Sequence, residues 1–204
     1  MPKMIVQRLL TPAVSLPEGV QITCLEDKPA RLLAALAVHE IDVVLADAPV
    51  SPEVRVKAFS HLLGECGVTF FAAPALAGPL KRGFPGSLGQ AALLLPTAES
   101  ALRRSLDQWL SGQGLRPRVA GEFDDSALMT VFGQEGAGVF PAPTVIEADV
   151  RRLFGVAVVG RAEAVRERFY AISVEKRLKH PAVVALSDRA RQGLFADART
   201  AQGA

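Results

Sequence analysis

The chain has 204 residues, half of them hydrophobic, with 23 basic and 21 acidic residues and a formal net charge of +2. The apolar half is enough for a sizeable buried core, which excludes a disordered tail. The balanced charge does not indicate a nucleic-acid-binding surface, because phosphate binding needs clustered cations. Short basic stretches, such as Arg103-Arg104, are interpreted as solvated faces.

Cysteine usage and the absence of long apolar runs predict a cytoplasmic location. No run reaches the roughly 18 apolar residues of a membrane span, and polar residues interrupt the N-terminal segment where an export signal would have its apolar region. Cys24 and Cys66 lie in apolar surroundings without CxxC spacing, so both are predicted to be buried free thiols in a reducing compartment.

The first part of the chain is predicted to contain a βαβ unit. A helix over Pro2–Leu10 precedes a strand over Val20–Cys24, a helix over Pro29–Val38 and a strand over Ile41–Ala46. The last of these is a continuous β-branched apolar run, which is typical of a strand covered on both faces of a parallel sheet.

Two further strands, Arg55–Leu63 and Val68–Ala72, are predicted on either side of a turn at Gly64–Gly67, and a loose segment at Gly78–Gly89 follows. A second series then alternates strands and helices. Its predicted strands are Ala92–Leu95, Arg118–Phe123, Gly138–Phe140 and Val156–Val159, its helices are Glu99–Leu110, Asp125–Gln134 and Pro143–Phe154, and the extended segment Val165–Val174 and the helix Pro181–Phe195 close the chain.

Two such series separated by a segment rich in Gly and Pro predict an α/β protein with two Rossmann-like lobes. Lobe I is expected to contain residues 1–73 and 168–204, and lobe II residues 74–167. Ligands in such folds bind at the carboxyl ends of strands, so we expect a ligand cleft between the lobes.

Catalytic motifs are absent from the sequence. No serine lies in a GxSxG elbow, and His39, His61 and His180 share no metal-binding spacing, so neither an enzyme nor a cofactor is expected. The glycines of Gly133–Gly138 resemble a phosphate loop but follow a predicted helix where a phosphate loop would precede one. We therefore predict that Gly136 is the residue that ends this helix in a left-handed conformation.

Polar residues follow or end three predicted strands and supply the candidate effector site. They are Asp27, Lys28, Pro96, Thr97, Glu122, Asp124, Asp125 and Ser126. Capping of the following helices is the alternative explanation for Asp124 or Asp125, because carboxylates are favoured at helix N-termini.

Several segments resemble LysR-type transcription regulators. "MTVFGQEGAGVFPAP" (Met129–Pro143) resembles the helix, glycine turn and proline-ended strand of their effector-binding domains, and "LLAALAVHEIDVVLADAP" (Leu32–Pro49) resembles their first-lobe segment. The resemblance implies the type 2 periplasmic-binding-protein fold, a cytoplasmic homodimer or tetramer, and a small effector that shifts the lobes. The domain would sense the effector, and DNA would be bound only by a winged helix-turn-helix that this chain does not contain.

The segments "LLLPTAESALRRSLDQWL", "GEFDDSALMTVFGQEGAGVF" and "ERFYAISVEKRLKHPAVVALS" resemble, within that family, activators of a sodium/proton antiporter gene. That resemblance implies Na⁺ or Li⁺ as the effector. Glu122, Asp124 and Asp125 are then candidate ligands, because hard cations prefer oxygen. A periplasmic-type solute-binding protein and an enzyme on the same scaffold are the alternatives.

Two expectations about lobe I follow from the resemblance. The resemblance implies that the first strand of the family fold is missing here, so a gap with unpaired backbone groups is expected between Val20–Cys24 and Ile41–Ala46. Direct pairing of those two segments would contradict this hypothesis. The exposed faces of Pro29–Val38 and of the closing helix are the expected dimer contacts.

Overall fold

The computed structural model describes residues 1–17, 19–54 and 56–196, and the chain divides into two compact units. The first unit contains Lys3–Glu65 and the chain from Arg168 onward, and the second contains Cys66–Glu167. The chain therefore changes unit at Glu65, earlier than the boundary expected near Ala73. No helix in the described part of the chain is long and apolar enough to cross a membrane.

The first unit is built from three helices and parts of three strands. Its described elements are α1 (Lys3–Val14), α2 (Pro29–Ala37), β1 (Val44–Ala46), the first part of β2 (Phe59–Ala72), the end of β6 (Ala157–Ser173) and α7 (Pro181–Arg189), which continues as a π-helical turn over Ala190–Leu194. α1 packs on α7 through Ile5, Leu9 and Ala13. α2 covers β1 and β6 through Leu33 and Leu36.

The predicted strand at Val20–Cys24 is wrong, and so is the first βαβ unit that depended on it. The segment is outside regular secondary structure and mostly exposed. β1 pairs with β6 in antiparallel fashion, with Val44 opposite Ile172, and β6 is its one neighbour among the described strands. A strand needs a hydrogen-bonding partner, and Val20–Cys24 has no strand partner in the described chain. The two segments are not paired with each other, so the hypothesis of a missing strand stays a prediction.

The second unit contains the predicted series of strands and helices. Its elements are the end of β2, α3 (Pro74–Lys81), a 3₁₀ turn at Gly86–Gln90, β3 (Ala92–Pro96), α4 (Ala101–Gly112), β4 (Arg118–Phe123), α5 (Ser126–Gln134), β5 (Phe140–Pro143), a 3₁₀ turn at Thr144–Ile146, α6 (Glu147–Phe154) and most of β6. β3 and β4 are parallel and α4 connects them, so a βαβ unit is present here as predicted. β2 and β5 are antiparallel.

The main errors in the secondary structure predicted for this region arose from the interpretation of glycine and proline as markers of loops and turns. The stretch predicted to be loose contains α3 and a 3₁₀ turn, and the two strands predicted on each side of Gly64–Gly67 are one continuous strand, β2. Likewise, β6 joins the two separate segments predicted at Val156–Val159 and Val165–Val174. Arg55, the predicted start of one strand, lies outside the described residues.

Aromatic packing forms the centre of the second unit. The ring of Phe70 lies 5.8 Å from that of Trp109 and 5.9 Å from that of Phe84, and all three belong to one apolar cluster with Leu93 and Leu106. Such ring pairs stabilise a core by more than the burial of their apolar surface alone contributes. The cluster as a whole packs α4 against β3, which positions the strand ends described below.

The glycine turn after α5 is as predicted. α5 ends at Gln134, and Gly136 has a φ of +83°, the left-handed conformation expected of the residue that terminates a helix. A side chain at Gly138 would lie 2.5 Å from the carbonyl oxygen of Ala92. This close approach lets Val139 exchange hydrogen bonds of 2.8 Å with the β3 backbone.

The two thiols differ in exposure, which corrects the prediction that both are buried. Cys66 is buried, and burial raises the pKa of its thiol to about 12. Cys24 is exposed because it lies in the segment that forms no strand.

An ion pair joins α6 to β6. Arg161 Nε donates to Glu147 Oε2 at 2.8 Å and Arg161 Nη2 to Oε1 at 2.7 Å, while the buried Thr69 hydroxyl donates to Oε2 at 3.1 Å. The hydrogen bonds from Arg161 are the main reason that the pKa of Glu147 lies below its ordinary value of 4.5. The carboxylate is 13% exposed, so this network is better shielded than a surface pair.

Replacing Gly133 by Ala should destabilise the domain, although alanine is the better helix former. A Cβ at Gly133 would lie 2.1 Å from the ring of Phe140, which is fully buried and stacked on Phe71. Overpacking of this kind costs roughly 1 to 3 kcal/mol. Gly112→Ala is the matched control, because it meets open space near the end of α4. Urea denaturation measures both, and equal stability of the two variants would contradict this packing.

Glu147→Gln should lower the free energy of unfolding at pH 7 by roughly 1 to 3 kcal/mol and flatten its acid dependence. Because the folded-state pKa is depressed, the contribution is present above the unfolded pKa and is lost as the pH falls through the folded pKa. Wild type should therefore lose stability relative to Glu147→Gln below about pH 4.5. Chemical denaturation from pH 7 to 3, with Glu99→Gln as a surface control, checks this; parallel curves would refute it.

Candidate functional site

The carboxyl ends of β3 and β4 lie side by side, because the strands are parallel, with Leu95 opposite Glu122 and Pro96 opposite Phe123. The backbone N–H of Thr97 continues the pairing by donating to the Phe123 carbonyl at 3.2 Å. The arrangement brings together Pro96, Thr97, Glu122 and Asp124, four of the predicted site residues.

A short hydrogen bond connects the two strand-end loops. Thr97 Oγ1 donates to Asp124 Oδ1 at 2.5 Å, and Ser100 N donates to the Thr97 carbonyl at 3.0 Å. Ser100 then caps α4, with its hydroxyl accepting from Arg103 N at 3.4 Å. The loop after β3 is thus held at both ends, and its threonine hydroxyl faces the neighbouring strand end.

Asp125 caps α5, which is the alternative considered for it from the sequence. Its carboxylate accepts a hydrogen bond of 2.7 Å from Ala127 N. Ser126 is the first residue of the helix, and its carbonyl accepts the hydroxyl of Thr130 at 2.8 Å. Both residues position the loop after β4.

Arg103 is the residue that the sequence analysis missed. Its side chain is 12% exposed rather than solvated. Nη1 donates to the Pro96 carbonyl at 2.8 Å and to Glu122 Oε1 at 2.5 Å, and Nε donates to both carboxylate oxygens of Asp107 at 3.0 Å. The i, i+4 spacing of Arg103 and Asp107 could have indicated their ion pair from the sequence. No sequence pattern indicated the contact of Arg103 with Glu122.

The surroundings of Arg103 favour its protonated, charged form. Partial burial lowers its pKa, but the hydrogen bonds and charges of Glu122 and Asp107 more than offset this, so the pKa lies above its ordinary value. The guanidinium therefore stays positively charged at every physiological pH.

The three carboxylates do not form a common metal centre. Within the described residues, no group of three or more His, Cys, Asp and Glu side chains is placed to hold a metal ion. Glu122 is bound to Arg103 and Asp125 caps a helix, so Asp124 is the carboxylate left facing Thr97. A nearby surface cavity of about 360 Å³ is lined by Asp107 and residues of α4 and β4, and it contains none of the predicted site residues.

The first unit contains the other two predicted residues. Lys28 N donates to Asp27 Oδ1 at 2.6 Å, and Arg31 Nη1 lies 3.5 Å from Oδ2. The backbone hydrogen bond is the largest cause of the lowered pKa of Asp27. Both residues are exposed at the start of α2.

Comparisons with known proteins agree with this architecture. The family model described as "LysR substrate binding domain" matches residues 3–194. The chain is 35% identical over 196 residues to the "Transcriptional activator protein NhaR" of Escherichia coli K12, an alignment that covers 96% of this chain and 64% of that protein. The chain thus spans slightly less than two thirds of the relative.

Solved structures show the same fold at low identity. The BenM effector-binding domain with its effector benzoate matches with a TM-score of 0.70 at 15% identity, covering 95% of this chain and 87% of that one. The effector-binding domain of QuiR in complex with shikimate matches with a TM-score of 0.63 at 15% identity, covering 97% and 90%. The expected α/β fold of the type 2 periplasmic-binding kind is confirmed, and the chain belongs to the LysR substrate-binding domain family.

Proposed function

We propose that this chain is the sensing domain of a cytoplasmic transcription activator that responds to Na⁺ or Li⁺ and controls a sodium/proton antiporter gene. The effector is bound at the carboxyl ends of β3 and β4, with Thr97 and Asp124 as direct ligands. The observation that supports this proposal is the close approach of two side-chain oxygens, Thr97 Oγ1 and Asp124 Oδ1, at the strand ends. The 35% identity to NhaR supports the same assignment.

The chemistry of this strand end favours a cation over an organic acid. Its side-chain oxygens come from Thr97, Glu122, Asp124 and Asp125. Its half-buried guanidinium, that of Arg103, is already bound by two carboxylates and a carbonyl. A carboxylate ligand such as the benzoate of BenM would meet negative charge here. Hard monovalent cations bind hydroxyl, carbonyl and carboxylate oxygens.

Signalling requires that the ion bind one conformation of the domain better than another, because a ligand shifts an equilibrium only by its differential affinity. In the proposed activator, DNA is bound by a separate winged helix-turn-helix, and this domain transmits the effector signal through a homodimer or tetramer. No catalytic step and no cofactor are part of the proposal. A periplasmic-type solute-binding protein remains the alternative, and an export signal encoded upstream of this sequence would favour it.

Sodium should raise the melting temperature of the domain more than potassium does at equal ionic strength. Binding to the folded state stabilises it by mass action. Titration from 0 to about 200 mM NaCl against KCl, with the melting temperature measured by calorimetry at each step, gives the difference. Asp124→Asn should abolish it, whereas Asp42→Asn, a control in the first unit, should keep it. Identical curves for the two salts would disprove direct ion sensing.

Dimerisation is proposed to use the outward face of α2 in preference to that of α7, since α7 is already packed against α1. Val38 at the end of α2 is 64% exposed. Val38→Asp should weaken self-association roughly tenfold, because a buried unpaired charge costs more than 1.4 kcal/mol. Sedimentation velocity measures this. Val14→Asp, at a 62% exposed valine of α1, is the control, and an unchanged dissociation constant for Val38→Asp would place the interface elsewhere.

A further inference from the structure

Helix α5 has apolar residues on its exposed side as well as on its buried side. Met129 and Gly133 are buried, whereas Leu128, Val131 and Phe132 are 50%, 45% and 47% exposed. The three exposed residues are spaced at i, i+3 and i+4, so they lie together on one side of the helix. A helix that is apolar all round is normally buried. The exposed side of α5 is therefore expected to be covered by a partner.

The neighbouring helix α4 shows the ordinary pattern of a surface helix. Its exposed side chains are all polar, and they belong to Arg104, Asp107, Gln108 and Ser111. The apolar exposed side of α5 is thus a property of that helix and not of the helices of this unit in general.

The charges around α5 are all acidic. Residues 119–150 contain six acidic residues and no Lys, Arg or His. Asp124 lies before the helix and Glu135 follows its last residue, and both are exposed. Two copies of α5 placed side by side would bring like charges together, which disfavours association. A partner of α5 should therefore combine apolar with basic side chains.

The last turn of α6 has this combination on the same chain. α6 packs beside α5, and its residues Arg151, Arg152 and Leu153 are exposed, with Leu153 at 56%. Arg152 pairs with Asp149 of its own helix at 3.0 Å. Arg151 is therefore the better candidate to meet a carboxylate of another molecule.

We propose that α5 and α6 form a self-association surface, on which α5 of one copy lies against α6 of a second copy. In a two-fold contact the same pair of elements meets twice, so each Glu135 meets an Arg151. Burial of Leu128 and Phe132 supplies most of the affinity, because exposed ion pairs contribute little, and the charges set the orientation. This surface goes beyond the proposed function, since it requires no bound ion and uses none of the α2 residues.

Sedimentation velocity of the whole chain over a concentration series tests the apolar part of the surface. Leu128→Ser should raise the dissociation constant of one association step about tenfold, which corresponds to about 1.4 kcal/mol. Phe132→Ser is a second variant with the same expected effect, although it also removes a ring contact of 5.2 Å with Phe123. Leu76→Ser, at a 39% exposed leucine of α3, is the matched control and should leave association unchanged. Circular dichroism confirms that each variant is folded.

Charge reversal tests whether the partner is a second copy. Glu135→Arg and Arg151→Glu should each raise the same dissociation constant by roughly threefold, because each places like charges across the contact. The double variant Glu135→Arg/Arg151→Glu should restore association, because opposite charges face each other again. Glu99→Arg makes the same change of charge on an exposed residue outside α5 and α6 and should have no effect.

The outcomes distinguish this surface from the proposed α2 interface. A Val38→Asp chain should retain the step that Leu128→Ser weakens, and the absence of any association in a folded Val38→Asp chain would overturn the proposal. Folded Leu128→Ser and Phe132→Ser chains that associate like wild type would also overturn it. Stronger association of Glu135→Arg alone, or no rescue in the double variant, would reject the pairing of α5 with α6. None of these results depends on Na⁺, so the sodium response stands or fails separately.

Discussion

The candidate site depends on the parallel pairing of β3 and β4. Parallel strands require a crossover, and α4 supplies it, with Leu106 and Trp109 packed into the core beneath. This connection places both carboxyl ends at one edge, so that Thr97 meets Asp124 and Arg103 reaches Glu122. An antiparallel arrangement would have separated these side chains by the length of a strand.

Local patterns predicted the parts of the fold that local interactions determine. The helix α4, the strand β4 and the left-handed Gly136 all follow from spacing and backbone preference. The strand at Val20–Cys24 failed because its stability depends on a neighbour that a pattern within the segment does not reveal. Arg103 was missed for a similar reason, since its partner Glu122 lies far along the chain and meets it only after β3 and β4 pair.

Glycine was the least reliable signal, because it serves two purposes. The glycines at Gly64–Gly67 were interpreted as a turn, yet β2 runs straight through them. In the structure a Cβ at Gly64 would lie 2.3 Å from the ring of Phe195, and one at Gly67 would lie 2.4 Å from Glu163 Oε2. These residues are glycines because other side chains pack closely against the strand. The sequence alone does not distinguish a glycine required by such tertiary packing from a glycine required by a turn.

The contrast between the two cysteines makes the domain suited to site-directed spectroscopy. The thiolate is the form of cysteine that attacks thiol reagents, and the Cys66 thiol, with its pKa raised to about 12, forms almost no thiolate at neutral pH. Cys24 is exposed three residues before Asp27, at the entrance to α2. A maleimide dye or spin label would therefore attach at a single native position beside the first-unit candidate residues, without the removal of any cysteine.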